Sequence, residues 1–151
     1  GAVYGVNAAT ITVEVNVLEG LYWYVVGLPD NAVKEGQQRI ESALKSNGFH
    51  SPRQKVIINL APADVRKEGS AFDLPIAIGV LAASGQINDG LLKDYMIMGE
   101  LSLDGNIHPI KGVLPIAIQA RKDKFKGFIL PKQNAREAAI VNELDVYGVE
   151  T

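Results

Sequence analysis

Cysteine is missing altogether, so these 151 residues can build neither a disulfide framework nor a thiolate metal site. Histidine is nearly as scarce. His50 and His108 lie far apart, with no acid at a spacing that makes a metal motif or an acid–base pair. The pattern Gly-x-x-x-x-Gly-Lys-[Ser/Thr] does not occur, which excludes a P-loop for the phosphates of ATP. There is no long apolar run: the most apolar stretch, Leu74 to Ala83, has ten residues, where a bilayer span needs about 20. No secretory signal is visible at the N-terminus. Charge of one sign is lacking too. Fifteen Lys and Arg stand against 17 Asp and Glu, a formal net charge of −2, so any basic surface is local. These absences lead us to expect a cytoplasmic protein with no metal, no cofactor of its own and no membrane contact.

What is present is ordinary for a globular chain, with 47% apolar and 21% charged residues. The length suits one domain over residues 1–151, burying about 70% of its unfolded surface. Thr10 to Val17 alternates, with Ile11, Val13, Val15 and Val17 on one side, as a strand with one wet face does. Leu21 to Val26 is aromatic and β-branched and is expected to pair with it as a hairpin through Glu19-Gly20. Asp30 or Asn31 is suited to cap a helix that buries Val33, Ile40, Ala43 and Leu44 and stops at Gly48. Val56 to Leu60 is a short apolar strand of a sheet interior. Asp73 is placed to cap a buried helix over Leu74 to Ser84, closed by Gly85.

Further strands are expected at Tyr95 to Leu101, Ile107-His108, Gly127 to Leu130 and Asp145 to Val149. Asp104-Gly105 supplies a hairpin turn between the first two. Helices are expected over Gly112 to Lys124, with apolar positions 113, 116, 117 and 120, and near Ala135 to Val141. The fold class is therefore α+β, an α/β sandwich in which helices pack on a mixed β-sheet.

Two segments carry the candidate chemistry. The first is Ala61-Pro62-Ala63-Asp64-Val65-Arg66-Lys67-Glu68-Gly69-Ser70-Ala71-Phe72-Asp73-Leu74. Its Gly-Ser pair ahead of a helix can offer backbone N–H groups and a positive helix end to an oxyanion or phosphate. Asp64, Glu68 and Asp73 form an acidic group that turn and cap geometry explains as well as magnesium does. The second segment is Met98-Gly99-Glu100-Leu101-Ser102-Leu103-Asp104-Gly105-Asn106-Ile107-His108-Pro109-Ile110-Lys111-Gly112, in which Glu100 reads equally as a loop anchor or a binding residue. Arg53, Lys55, Arg66, Lys67 and Lys111 make one local basic group, and Arg121, Lys122, Lys124 and Lys126 a second at a helix end.

Both segments resemble those that carry the serine and the lysine in the proteolytic domain of Lon-type proteases. The family pattern Lys-Asp-Gly-x-Ser-Ala-Gly, laid on Lys67-Glu68-Gly69, puts the nucleophile position at Ala71, with Ser70 one residue early. The pattern Gly-Glu-x-x-Leu, Gly, Pro-Ile-x-Gly is present, and the family lysine, four residues beyond its last glycine, falls at Ile116. Lys111 is more than one helical turn too early for that place.

Tyr4-Gly5, Ile11 to Val15, Val26-Gly27-Leu28-Pro29-Asp30, Ala61 to Asp64, Lys67 to Leu74, Gly99-Glu100-Leu101 and Leu130-Pro131 extend the resemblance over nearly the whole chain. They are similar to the N-terminal domain of the magnesium-chelatase-like AAA+ ATPases, the YifB/ComM family. That resemblance implies a Lon-protease-domain-like fold of the ribosomal-protein domain-2-like superfamily. It also implies an AAA+ ATPase module that is absent from this chain, with ATP and magnesium belonging to that module. The implied partners are that module, neighbouring subunits of a hexamer, and DNA, the longer protein being a DNA-acting motor of the branch-migration kind. In this reading the domain is a non-catalytic assembly and DNA-guiding module binding through Arg66, Lys67, Ser70 and Lys111. The alternative is a divergent Lon-type serine peptidase using Ser70 with Lys111 or Lys67.

Overall fold

The computed structural model describes residues 4–8, 11–18, 23–26, 30–49, 55–61, 72–87, 94–110, 113–123, 125–138 and 145–149. In chain order the elements are β1 (Tyr4–Ala8), β2 (Ile11–Leu18), β3 (Trp23–Val26), α1 (Asp30–Ser46), β4 (Lys55–Ala61), α2 (Asp73–Ala83), β5 (Tyr95–Ile97), β6 (Glu100–Leu101), β7 (Ile107–His108), α3 (Val113–Lys122), β8 (Gly127–Pro131), α4 (Lys132–Ala138) and β9 (Asp145–Val149). Seven strands form one sheet in the order β3-β4-β2-β1-β5-β8-β9, and β6 and β7 form a separate ribbon. Strand β2 runs antiparallel to β1 and β4, while the other neighbours in the large sheet pair in parallel. The expected mixed sheet with helices packed on it is the observed fold.

The alternation in β2 places Val13 and Val15 in the core, where they join Val6, Ile58, Ile40, Val80 and Phe128. Helix α2 is apolar around most of its circumference, as a helix sunk into a core must be. It crosses β1 and β2 so closely that a Cβ on Gly79 would lie 2.6 Å from Val15 Cγ2. Its end follows expectation: Gly85 has φ +76°, and the amides of Gly85 and Gln86 donate back to the carbonyls of Ala82 and Leu81. Helix α1 buries Ile40, Ala43 and Leu44 as its periodicity predicts, and stops at Gly48 with φ +82°. The side chains of Asp30, Asn31 and Val33 lie outside the described residues.

Four expectations are corrected. β2 and β3 do not form a hairpin, because β4 inserts between them and pairs with β2 antiparallel and with β3 in parallel. Alternation establishes that both are strands, but their neighbour is chosen by helix α1, which returns the chain beside β3. β1 was not expected from the sequence; its Gly and Asn dilute the strand pattern, yet it pairs through five residues with β2. The expected strand Tyr95 to Leu101 divides at Met98-Gly99 into β5 and β6, which belong to different sheets. Helix α4 begins at Lys132, ahead of the expected Ala135.

Candidate functional site

Arg66, Lys67, Ser70, Lys111 and the nucleophile position Ala71 lie outside the described residues, as do Asp64, Glu68, His50, Arg53 and Lys124. The structure does describe the flanks of both signature segments, and these are built from buried polar contacts. β4 ends at Ala61 and leads into the first segment, and Asp73 opens α2 on its far side.

Asp73 does not cap its helix as expected. The residue before the helix is Phe72, with no side-chain cap bond. The Asp73 carboxylate turns instead to Arg39 of α1, which donates from Nε to Oδ2 at 2.6 Å and from Nη2 to Oδ1 at 3.0 Å. The backbone N–H of Leu101 donates to the same Oδ2 at 3.2 Å. One carboxylate thus joins α1, the start of α2 and the second signature segment. The Leu74 amide adds a bond to the Gly99 carbonyl at 3.0 Å. The Asp73 side chain is 1% exposed and that of Arg39 23%. Burial holds the Asp73 carboxyl above its ordinary range, with the Arg39 hydrogen bond and charge and the Leu101 amide pulling it back down. An acid in the first turn also faces the positive end of α2 favourably.

The second segment is a hairpin, with Glu100 opposite His108 and Leu101 opposite Ile107, as expected. Its turn depends on Gly105, whose φ of +91° suits glycine and whose added Cβ would fall 2.0 Å from Asn47 Nδ2. Asp104 folds the turn onto itself, accepting from Ser102 Oγ, from the Asn106 amide and from Asn106 Nδ2. The Ser102 bond and the Asn106 amide hold this carboxyl below its usual range. The end of α1 grips the tip: Ser42 Oγ donates to the Leu103 carbonyl at 2.6 Å and Asn47 Nδ2 to the Asp104 carbonyl at 3.3 Å. Leu103 is left 58% exposed.

The hairpin's far end is fixed by α4. Asn134 Oδ1 accepts from the Ile110 N–H at 2.9 Å and Asn134 Nδ2 donates to the Ile110 carbonyl at 3.0 Å. These two partners also fix which way the amide faces, since a flip would set oxygen against oxygen. Between α1, α2 and the hairpin lies an apolar groove of about 290 Å³, lined by residues that include Leu44, Phe49, Leu74, Ile78 and Ile107.

Other sequence candidates resolve simply. Ile116 is partly buried and packs against the core, as its helical face predicts. Glu100 is half-buried and adds a favourable charge near Arg39. His108 is exposed, and no group of acids and histidines among the described residues could hold a metal ion. Arg121 and Lys122 are exposed at the end of α3, while Lys126 stands 3.8 Å from Asp94. No helix among the described residues is long and apolar enough to cross a membrane. Sequence reasoning missed Arg39 and Asn134. Arg39 carried a signal, a charge beside the Gly36–Ile40–Ala43 stripe of α1; Asn134 in Pro131-Lys132-Gln133-Asn134 looked like turn composition.

The family described as subunit ChlI of Mg-chelatase matches residues 13–134. The chain is 44% identical over 148 residues to the competence protein ComM of Haemophilus influenzae, covering 97% of this chain and 29% of that protein. It is 44% identical over 142 residues to the uncharacterized protein YifB of Escherichia coli, covering 93% of this chain and 28% of that protein. A weaker likeness, 28% over 103 residues, reaches the peroxisomal Lon protease homolog 2 of Caenorhabditis elegans, covering 65% of this chain and 13% of that protein. The chain therefore spans less than a third of the length of ComM and YifB. The family match runs from β2 through both signature segments to Asn134, and with the ComM and YifB identities it shows that this chain belongs to the magnesium-chelatase ChlI family.

Proposed function

We propose that this domain is a non-catalytic assembly and DNA-guiding module of a longer magnesium-chelatase-like AAA+ ATPase. In this reading the longer protein carries the ATPase module, uses ATP and magnesium there, forms a hexameric ring in the cytoplasm and drives DNA branch migration. Arg66, Lys67, Ser70 and Lys111 present a cationic and polar surface to DNA or to a neighbouring subunit. The name of one relative, a competence protein, supports DNA as the object of the motor.

The non-catalytic part rests on Asp73. In the Lon-type register that places the nucleophile at Ala71, the closing glycine of Ser-Ala-Gly falls at Asp73. Attack on a carbonyl puts negative charge on oxygen, which hydrolases stabilise with aimed N–H groups and positive helix ends. Here a buried carboxylate already stands in the first turn of α2 and takes up Arg39 and the Leu101 amide. A second negative charge beside it meets repulsion in a poorly solvated place. The family's amine position is Ile116, packed on the core, where an ammonium would lose hydration.

The test uses the full-length protein with Arg66, Lys67 and Lys111 all changed to alanine. Duplex DNA binding is titrated against salt and ring assembly is followed by sedimentation. Each lost phosphate contact lowers the slope of log K against log salt by about 0.9, so a fall of roughly 2 to 3 is expected. Unchanged slope together with unchanged assembly overturns the reading. A serine-reactive phosphonate that labels the protein, with labelling lost in Ser70→Ala, replaces it with a peptidase using Ser70 with Lys111 or Lys67.

A further inference from the structure

Val56 and Ile58 of β4 are buried in the core, so by alternation Ile57 and Asn59 point to the other face of the sheet. The register sets Tyr24 and Val26 of β3 beside them on one side, and Asn16 and Glu14 of β2 on the other. Tyr24 is 49% exposed and Val26 53%, two large side chains left open to water on one face. β3 is also the end strand of the described sheet. None of its four residues carries the charge or proline with which natural edges deter a pairing partner. Further in, the face turns polar: Asn59 Nδ2 donates to Glu14 Oε1 at 3.0 Å, while Asn16 Oδ1 is buried with no hydrogen-bond partner among the described residues. A buried acceptor left unpaired is costly, and the great majority of buried polar atoms in folded chains are paired. An aromatic anchor, an unguarded edge and a lone acceptor on one face call for a partner that brings apolar surface and one N–H or O–H donor.

We infer that this face seats the ATPase module of the longer protein, joined to it in the same polypeptide. The inference rests on the reading above that such a module exists, and adds the surface on which it docks. The chain covers 29% of ComM and 28% of YifB, so in proteins of that length most of the polypeptide lies outside this domain. A tethered module meets the face at an effective concentration in the millimolar range, where a free partner must be captured from dilution. Duplex DNA has the wrong chemistry for it, since the charge described on this face is the Glu14 carboxylate, which repels phosphate.

The experiment uses the full-length protein with photoreactive p-benzoylphenylalanine at position 24, in a second sample at position 26, and as control in place of the exposed Glu35 of α1. After irradiation, denaturing gels separate links within one polypeptide from links between two, and mass spectrometry of the peptides locates them. Links from positions 24 and 26 into the ATPase module are expected at single-chain mass, with none from position 35. Asn16→Val puts an apolar, β-branched side chain in the place of the lone acceptor. It is expected to lower the yield from position 24 by up to about fivefold, the worth of one hydrogen bond. On a face that stays open to water the same change would leave the yield alone. Hydrogen exchange at Val13 and Phe128 checks that the core holds; if Asn16→Val loosens it, Val26→Asp takes its place with the same expected loss. Links to a second copy at doubled mass, links to added DNA, no link beyond this domain, or a yield unmoved by the substitution overturn the inference. ATP hydrolysis separates two failures. A full-length protein that hydrolyses ATP yet links elsewhere overturns the inference alone, and one that hydrolyses none removes the module from the reading above and the inference with it.

Discussion

The pair Arg39 and Asp73 is asymmetric, and the asymmetry predicts which partner is worse to lose. Asp73 is 1% exposed and Arg39 23%, so water can reach the guanidinium but not the carboxylate. Arg39→Met keeps the aliphatic stem and leaves the carboxylate with only the Leu101 amide. At neutral pH that is a buried unpaired charge, and a loss of about 3 kcal/mol is expected, or about 6–12 °C in Tm for a chain of this size. Asp73→Asn keeps an acceptor for Leu101 and frees a guanidinium that water reaches, so about 1–2 kcal/mol is expected. Placing Asp73→Asn on the Arg39→Met background should then recover stability, because it removes the stranded charge.

The pH dependence follows from the direction of the carboxyl's shift. Burial raises Asp73 above its ordinary value of 3.8, and losing Arg39 removes the largest opposing influence and raises it further. A carboxyl whose folded value exceeds its unfolded one binds more protons when folded, so stability falls as pH rises from the unfolded value through the folded one. The deficit of Arg39→Met against the unaltered protein should therefore be small near pH 4 and grow toward pH 7.5. Asp104, held low in the folded state, contributes the opposite trend, stability that is lost as pH falls through its depressed value. It is present in every variant and cancels in the difference. Urea unfolding at four or five pH values gives the measurement. A deficit of equal size at pH 4 and 7.5, or no recovery in the double variant, would refute the argument.

Gly79→Ala should destabilise by about 1–2 kcal/mol in urea unfolding: the new Cβ falls 2.6 Å from Val15 Cγ2 in a β-branched, buried side chain, and overpacking outweighs the helix-propensity gain. Gly36→Ala is the control, since its Cβ meets Asp73 Oδ1 at an ordinary 3.6 Å and the propensity gain of up to about 1 kcal/mol should appear. Gly105→Ala should cost about 1–3 kcal/mol by forcing φ +91° on alanine and displacing Asn47. Hydrogen exchange should show the Ser102 and Gly105 amides, which bond within this turn, losing protection while Val13 keeps it.

Local chemistry was legible wherever period and punctuation agree. The alternation Ile11 to Val17, the stripe of α1 with Gly48 behind it, and the Asp104-Gly105 turn each predict an element that forms. Neighbour relations within the large sheet were not legible, because strand pairing there depends on where helices return the chain: β2 and β3 are adjacent in sequence, yet β4 separates them. β5 and β6 read as one strand because nothing in their apolar pattern marks the change of sheet at Met98-Gly99. At the candidate site, the register argument found that the family's amine position lies on the apolar face of α3, and Ile116 does pack there. It gave Asp73 a cap role because an acid before an apolar run has that local use. The partner that redirects it, Arg39, is 34 residues away, and no spacing rule reaches that far.

The placement of buried polar groups bears on what the domain has been kept for. Replacing a buried ion pair with well-packed hydrophobes is often neutral or stabilising, so stability alone does not account for Arg39 and Asp73. The same holds for an amide at Asn134 that matches one backbone residue on both sides. What Asp73 and Asn134 share is direction, since each bonds the backbone of the segment between Leu101 and Ile110. Hydrophobes could fill the same volume but would leave the hairpin free to slide against α1 and α4, since apolar contact has no preferred direction. Hydrogen bonds to named backbone atoms remove that freedom. The acid at Asp73 thereby fixes the start of α2 against α1 and against the Leu101 backbone of the second signature.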